Sequence, residues 1–286
     1  MPIEDFIIHT YCLVHDFLQP FEKFRQRGPA PHLIDAEVIT MEMVGEFLEL
    51  GSDKSIFEYF KRHWVTYFPN LGSRTTFIRQ SAKLWCMKDR LHKHLVHQMC
   101  PVNDLFLFDG FPIPTCHLKR VRHKNPLWGE AGFGYCAAKD EKYFGFKGHL
   151  LTHQHGLIFD FTFTAANIDE RDILPELAAA YQGIVIADKG LIRPELTATL
   201  AAHDLNLQTP LRSNMKDSRP KALVCTLMNV RRKIETVIGQ LVKRFTIQSI
   251  RTKDLWHLSV KTGRKILAHT FAFFIVNSLE FDKIIS

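Results

Sequence analysis

The sequence predicts a chain of two parts. An all-α region covers residues 1–102, and an α/β region over residues 103–286 carries a mixed sheet covered by helices. Three observations carry this. Through the first part, apolar residues recur every three or four positions, the period of a helix with one buried face. From Asp104 the apolar runs shorten to strand length, as in LFLFDGFPIP. Finally, three strand runs are followed by helix, strand, helix, strand and helix. A hairpin followed by such alternation implies antiparallel and parallel pairs in one sheet.

The elements follow in order. Ile3, Phe6, Ile7, Tyr11, Leu13, Val14 and Leu18 place a first helix, and Arg27-Gly28-Pro29-Ala30-Pro31 reads as a loop. Asp35 is placed to cap AEVITMEMVGEFLEL, which Gly51 ends. Ser52 or Asp53 caps KSIFEYFKRHW, and Ser73 caps RTTFIRQSAKLWCMKDRLHKHLVHQM as one long helix. LFLFDGFPIP reads as a short buried strand stopped by Gly-Phe-Pro. FGFKGHLLTHQHG and LIFDFTFTAAN read as a hairpin turning at Gly156. DERDILPELAAAYQG is a helix with acids in its first turn, where the macrodipole favours them. GIVIADKG is a buried strand, LIRPELTATLAAHD a helix, NLQTPL a strand and ALVCTLMNVRRKIETVIGQLVKRF a long helix. The apolar stretch from Ile266 to Leu279 is too short to span a bilayer and is expected as a buried terminal helix.

Composition narrows the function. Hydrophobic residues are 46% and charged residues 23%, which excludes a disordered or fibrous chain. The net charge of +7 suggests an anionic partner. The six cysteines, Cys12, Cys86, Cys100, Cys116, Cys136 and Cys225, are scattered with no CxxC pair, and the N-terminus carries acids where a secretory leader needs positive charge. A reducing cytoplasm and no membrane association are therefore expected. Cys116, His117, Cys136, His149, His153 and His155 match no structural zinc spacing and read as loop and hairpin residues. Trp128 and Phe133 read as core rings rather than as a platform for a flipped base.

Three acids occupy unusual places. Asp109 directly follows LFLF, and Asp188 directly follows IVIA, so each is expected at the carboxyl end of a buried strand. In open α/β sheets the site lies at that edge. Two carboxylates on adjacent strands repel unless a cation bridges them, and Mg²⁺ is the hard, oxygen-seeking choice. Glu195 and Asp217 are available as a third acid, but Glu235 is the stronger candidate. It is the one acid in a long basic helix, with Arg231 four residues before it on the same face. Two metal ions held by three such carboxylates carry out phosphoryl transfer. Lys189 and Arg231 are placed to offset charge on the phosphorus.

At DGFPIP, ADKG and RRKIETVIGQL the chain resembles the bacterial insertion-sequence DDE transposases, and specifically the insertion-sequence 982 family. The resemblance runs from EVITMEMVGEFLELGSDKSIFEYFKRHW through GYCAAKDEKYFGFKGHLL and AANIDERDILPEL to NLQTPLRSNMKD. It implies an RNase H-like core with Asp109, Asp188 and Glu235 as catalytic and metal-binding residues. It also implies two Mg²⁺ or Mn²⁺ ions, double-stranded DNA as partner (element ends and target), and paired or larger assemblies on that DNA in a bacterial nucleoid. The implied reaction is hydrolysis at the element's end, then attack of the freed 3′-OH on target DNA. The Tyr-Arg-Glu-Lys signature of the related insertion-sequence 4 group is only partly kept. Arg231 and Glu235 hold their spacing, but Met228 stands at the Tyr position and Val242 at the Lys position, with Lys243 next to it. Only 46 residues separate Asp188 from Glu235, which leaves no room for a large insertion domain.

Charge is uneven along the chain. From Arg212 to Lys265, fourteen Lys and Arg face three acids, a local excess of eleven. Arg212, Lys216, Arg231, Arg232, Lys243 and Arg244 in this block are candidate DNA contacts, with Lys189. Lys119 and Arg120, in HLKRVRHKNP, form a second basic loop. Arg74 and Arg79, in SRTTFIRQSAK, suit a recognition helix in the N-terminal region. Two other readings stay open: a plain metal-dependent RNase H-like nuclease, and a catalytically silent DNA-binding descendant of a transposase.

Overall fold

The computed structural model describes residues 1–21, 31–100, 104–116, 118, 121, 125–136 and 139–285, the last ten of these by backbone alone. They fall into two compact units. The helical unit holds residues 1–95, 244–246 and 256–286. The sheet unit holds 96–243 and 247–255.

The helical unit contains α1 (Ile3–Leu18), α2 (Asp35–Phe47), α3 (Asp53–His63), α4 (Arg74–Lys83), most of α5 (Trp85–Met99) and nearly all of α9 (Leu255–Ile285). Helix α2 is its axis: every residue from Val38 to Glu46 is buried. A helix apolar on most sides must be surrounded. Asp35 is the first residue of α2 rather than its cap, and the Ile34 amide donates to Glu37. Ser52 and Ser73 do cap α3 and α4, accepting from the amides of Ser55 and Thr76. The expected single helix after Ser73 is broken at Leu84. There Gln80 reaches out to the Leu33 carbonyl and Asp35, while Ser81 donates to Glu42. These tertiary bonds set the bend without glycine or proline.

Two of the buried α2 residues are acids. Glu42 pairs with Lys88, and Glu46 with Arg264 and Lys265, while Arg264 also reaches Asp53. Arg264 and Lys265, counted above in the basic block but not among the candidate DNA contacts, are thus neutralised inside the helical unit. Lys261 lies 3.6 Å from Asp53.

The sheet unit is built on six strands, five in the order β2-β3-β1-β5-β6 and β4 paired with β3 off this path. They are β1 (Leu105–Cys116), β2 (Gly132–Cys136), β3 (Glu141–His153), β4 (Ile158–Ala165), β5 (Gly183–Ile186) and β6 (Leu205–Gln208). Strand β3 pairs antiparallel with β1. On its other edge it offers Glu141–Gly145 to β2 and Phe146–Thr152 to β4. β1, β5 and β6 are parallel neighbours. Helices α6 (Glu170–Leu177), α7 (Pro194–Ala201) and α8 (Lys221–Lys243) complete the unit.

The expected stop after Asp109 does not occur. β1 continues through Pro112 and Pro114 to Cys116, all against β3. Both prolines sit where the backbone faces away from β3: the Pro112 carbonyl accepts from Gln248, on the edge that β5 leaves open beyond Leu107. A missing N–H there removes no ladder bond. The β3–β4 hairpin turns at Gly156, whose φ of +100° suits glycine. β2 is an edge strand, and its alternation turns Phe133 and Tyr135 outward. Phe133 is 55% exposed rather than core, with Trp128 and Phe144 against its ring.

Candidate active site

Parallel pairing of β1 with β5 ends at Leu107 and Ile186. Asp109 and Asp188 each lie two residues past that last pair, so neighbouring strands carry them to the same level of the sheet edge. Asp109 is therefore in mid-strand with respect to β3 but at the carboxyl edge with respect to β5. Asp188 follows in extended conformation and leads into a short 3₁₀ turn, Lys189–Leu191. Glu235 comes from α8, whose buried residues Leu227, Ile234, Val237 and Leu241 form a stripe at helical spacing.

The three acids gather around one guanidinium. Arg231 Nη1 lies 2.8 Å from Glu235 Oε1. Its Nη2 lies 3.4 Å from Asp188 Oδ1 and 3.9 Å from Asp109 Oδ2. Three negative charges face one positive, leaving two uncompensated. The Asp109 carboxyl is half-buried, and its Oδ1 accepts the Gly110 amide at 2.8 Å. Burial pushes its pKa up to about 6. The Gly110 amide and Arg231 oppose this, while Glu170 and Asp188 push it further up.

Glu170 was not singled out by sequence. Its position in the first turn of α6 read only as a macrodipole effect, yet it adds negative potential at Asp109. It pairs with Lys147 at 3.0 Å. A Cβ at Gly110 would stand 2.7 Å from Glu170 Oε1, so any larger residue there would push the end of this side chain aside.

The nominated bases divide. Among the described residues, Arg231 is the base that contacts the three carboxylates. Lys189, Arg232 and Lys243 are exposed in the sheet unit, as are Arg212 and Lys216 in the segment after β6. Arg74 and Arg79 are exposed on α4, and Arg244 lies over the Phe47 ring at 4.4 Å, all in the helical unit. Lys119 and Arg120 lie outside the described residues.

The donor set suits a hard divalent cation. It is all carboxylate oxygen, it comes from three separate elements, and it carries uncompensated charge. Among the described residues the acids converge on Arg231 rather than around one common point that would hold an ion directly.

A mixed sheet in this order, flanked by helices, is the RNase H-like α/β class. The chain matches the solved synaptic complex of the piggyBac transposase with hairpin DNA at a TM-score of 0.50 and 11% identity, covering 96% of this chain and 72% of that one. The profile of the Transposase DDE domain family matches residues 100–255, and the chain belongs to that family. No curated protein matches it. Among the described residues, no helix is long and apolar enough to cross a membrane.

Proposed function

We propose that the chain is a bacterial transposase of the insertion-sequence 982 type, which binds the ends of its element and catalyses metal-dependent DNA cleavage and strand transfer. The observation that carries this is the set of three carboxylates, from β1, the turn after β5, and α8, meeting one guanidinium with two negative charges left over. Asp109, Asp188 and Glu235 would hold Mg²⁺ or Mn²⁺, which supplies activation of the attacking oxygen and stabilisation of the leaving one. Asp109 and Asp188 share one level of the sheet, so they fix a rigid edge against which a phosphodiester is aligned. Glu235, on the more exposed helix face, closes the third side. Arg231 and Lys189 offset charge on the phosphate. Arg212, Lys216, Arg232 and Lys243 follow the flanking backbone, and α4, with Arg74 and Arg79, reads the element's end. The DNA in the piggyBac complex supports DNA as the partner. Paired protomers across two ends are part of the same reading.

The test is incubation of the full chain with a duplex carrying the element's end and Mg²⁺ or Mn²⁺. A product joined to a second duplex supports the transposase. Cleavage without joining overturns it in favour of a nuclease, and DNA binding without either product favours the silent descendant.

A further inference from the structure

This inference rests on the carboxylate site proposed above and concerns Arg231. A plain surface partner of Glu235 needs no burial and no other acid. Arg231 has both. Its side chain is 18% exposed, and it contacts Asp109 and Asp188 besides Glu235. It continues the buried stripe of α8, four residues after Leu227 and three before Ile234, so the helix aims it inward. Among the described residues its buried Nε has no hydrogen-bond partner, which leaves the two Nη groups to make its polar contacts. Those are the groups that meet the carboxylates. The guanidinium lies among the carboxylate oxygens that a divalent ion would use, and the charge of each cation weakens the hold on the other.

We propose that Arg231 is the resident counter-cation of this cluster. It neutralises and spaces Asp109, Asp188 and Glu235 in the metal-free protein, and a divalent cation binds them only by displacing it. The displaced guanidinium then has its planar fork free for a DNA phosphate. Loading of the metal and grip on the DNA are thereby coupled through one side chain, and such coupling is reciprocal.

The experiment is a titration of the DNA-free full chain with Mn²⁺, followed by the paramagnetic resonance of the free ion, on wild type, R231Q, R231K and D188N. R231Q is expected to bind Mn²⁺ about tenfold more tightly than wild type. R231K keeps a charge but has no fork to span three acids, so it falls between them and serves if R231Q does not fold. D188N loses the site. Added DNA tightens Mn²⁺ binding in wild type and much less in R231Q. Equal or weaker binding by R231Q and R231K, with D188N still abolishing it, overturns the displacement while leaving the carboxylate site standing. No Mn²⁺ bound by wild type or by either Arg231 variant overturns both.

Discussion

Each unit of this protein gathers acids around bases, and the two clusters are built in opposite ways. In the helical unit Glu42, Glu46 and Asp53 face Lys88, Lys261, Arg264 and Lys265. The charges nearly balance, and Arg264 is only 4% exposed. In the sheet unit, among the described residues, three acids face Arg231 alone, and Asp188 and Glu235 are 42% and 56% exposed. The first cluster answers its own charge and is sealed, so its work is to hold α2, α3, α5 and α9 in register. The second is short of positive charge and open. On the proposed reading it takes its missing charge from a cation that comes from outside. Balance and access, more than the presence of acids, separate a cluster that holds the fold from one available for chemistry.

The largest expected effect on stability lies in the sealed cluster. Glu46→Gln leaves Arg264 and Lys265 buried without their main carboxylate, and removing one partner of a buried pair costs about 3–5 kcal/mol. Denaturant unfolding of E46Q would read it, and an unchanged midpoint would break the comparison.

The open cluster predicts the reverse sign. Burial holds Asp109 at about 6, above the ordinary value of about 3.9, so the native state binds more protons than the unfolded state between those pH values. Ionised Asp109 therefore lowers stability as pH rises through that window. Asp109→Asn removes the effect. In chelator at pH 7.5, D109N should be more stable than wild type by up to about 3 kcal/mol, and the two should converge near pH 4. The difference between the two profiles is the quantity to read. Buried His149, pushed down to about 4, makes both proteins lose stability as pH falls from its unfolded value of about 6.5. A D109N protein less stable than wild type at pH 7.5 would contradict the uncompensated charge.

The smallest effects lie on the surface. Lys189→Ala and Arg232→Ala should each lower DNA affinity across sequences and reduce the salt slope by about one. Binding isotherms at several salt concentrations measure this. A slope unchanged in both variants would remove these bases from the DNA path.

Much of the sheet was legible because its signals are local. The β3–β4 hairpin at Gly156, the buried strand before Asp188 and the long helix around Glu235 all follow from apolar runs and punctuation. The choice of Asp109 and Asp188 used the same local rule, an acid directly after an apolar run. What escaped was set by partners distant in sequence. β1 runs past Gly110 because β3 pairs with it and because its prolines face an open edge. The break at Leu84 depends on Gln80 and Ser81 bonding to the Leu33–Glu42 segment. Glu42 and Glu46 read as ordinary helix acids until Lys88, Arg264 and Lys265 are placed beside them. The resulting burial of Arg264 and Lys265 removes them from the basic block that the linear count assigned to DNA. Arg231 was paired with Glu235 by spacing alone, and only the fold adds Asp109 and Asp188.

On the proposed function the open carboxylate cluster carries the chemistry. This is tested most directly by Mg²⁺-dependent cleavage of end-bearing DNA by D188N, compared with wild type at equal DNA occupancy. The account predicts cleavage at the level seen without metal, with DNA binding and the melting temperature essentially kept. Cleavage by D188N at a rate near wild type would contradict it.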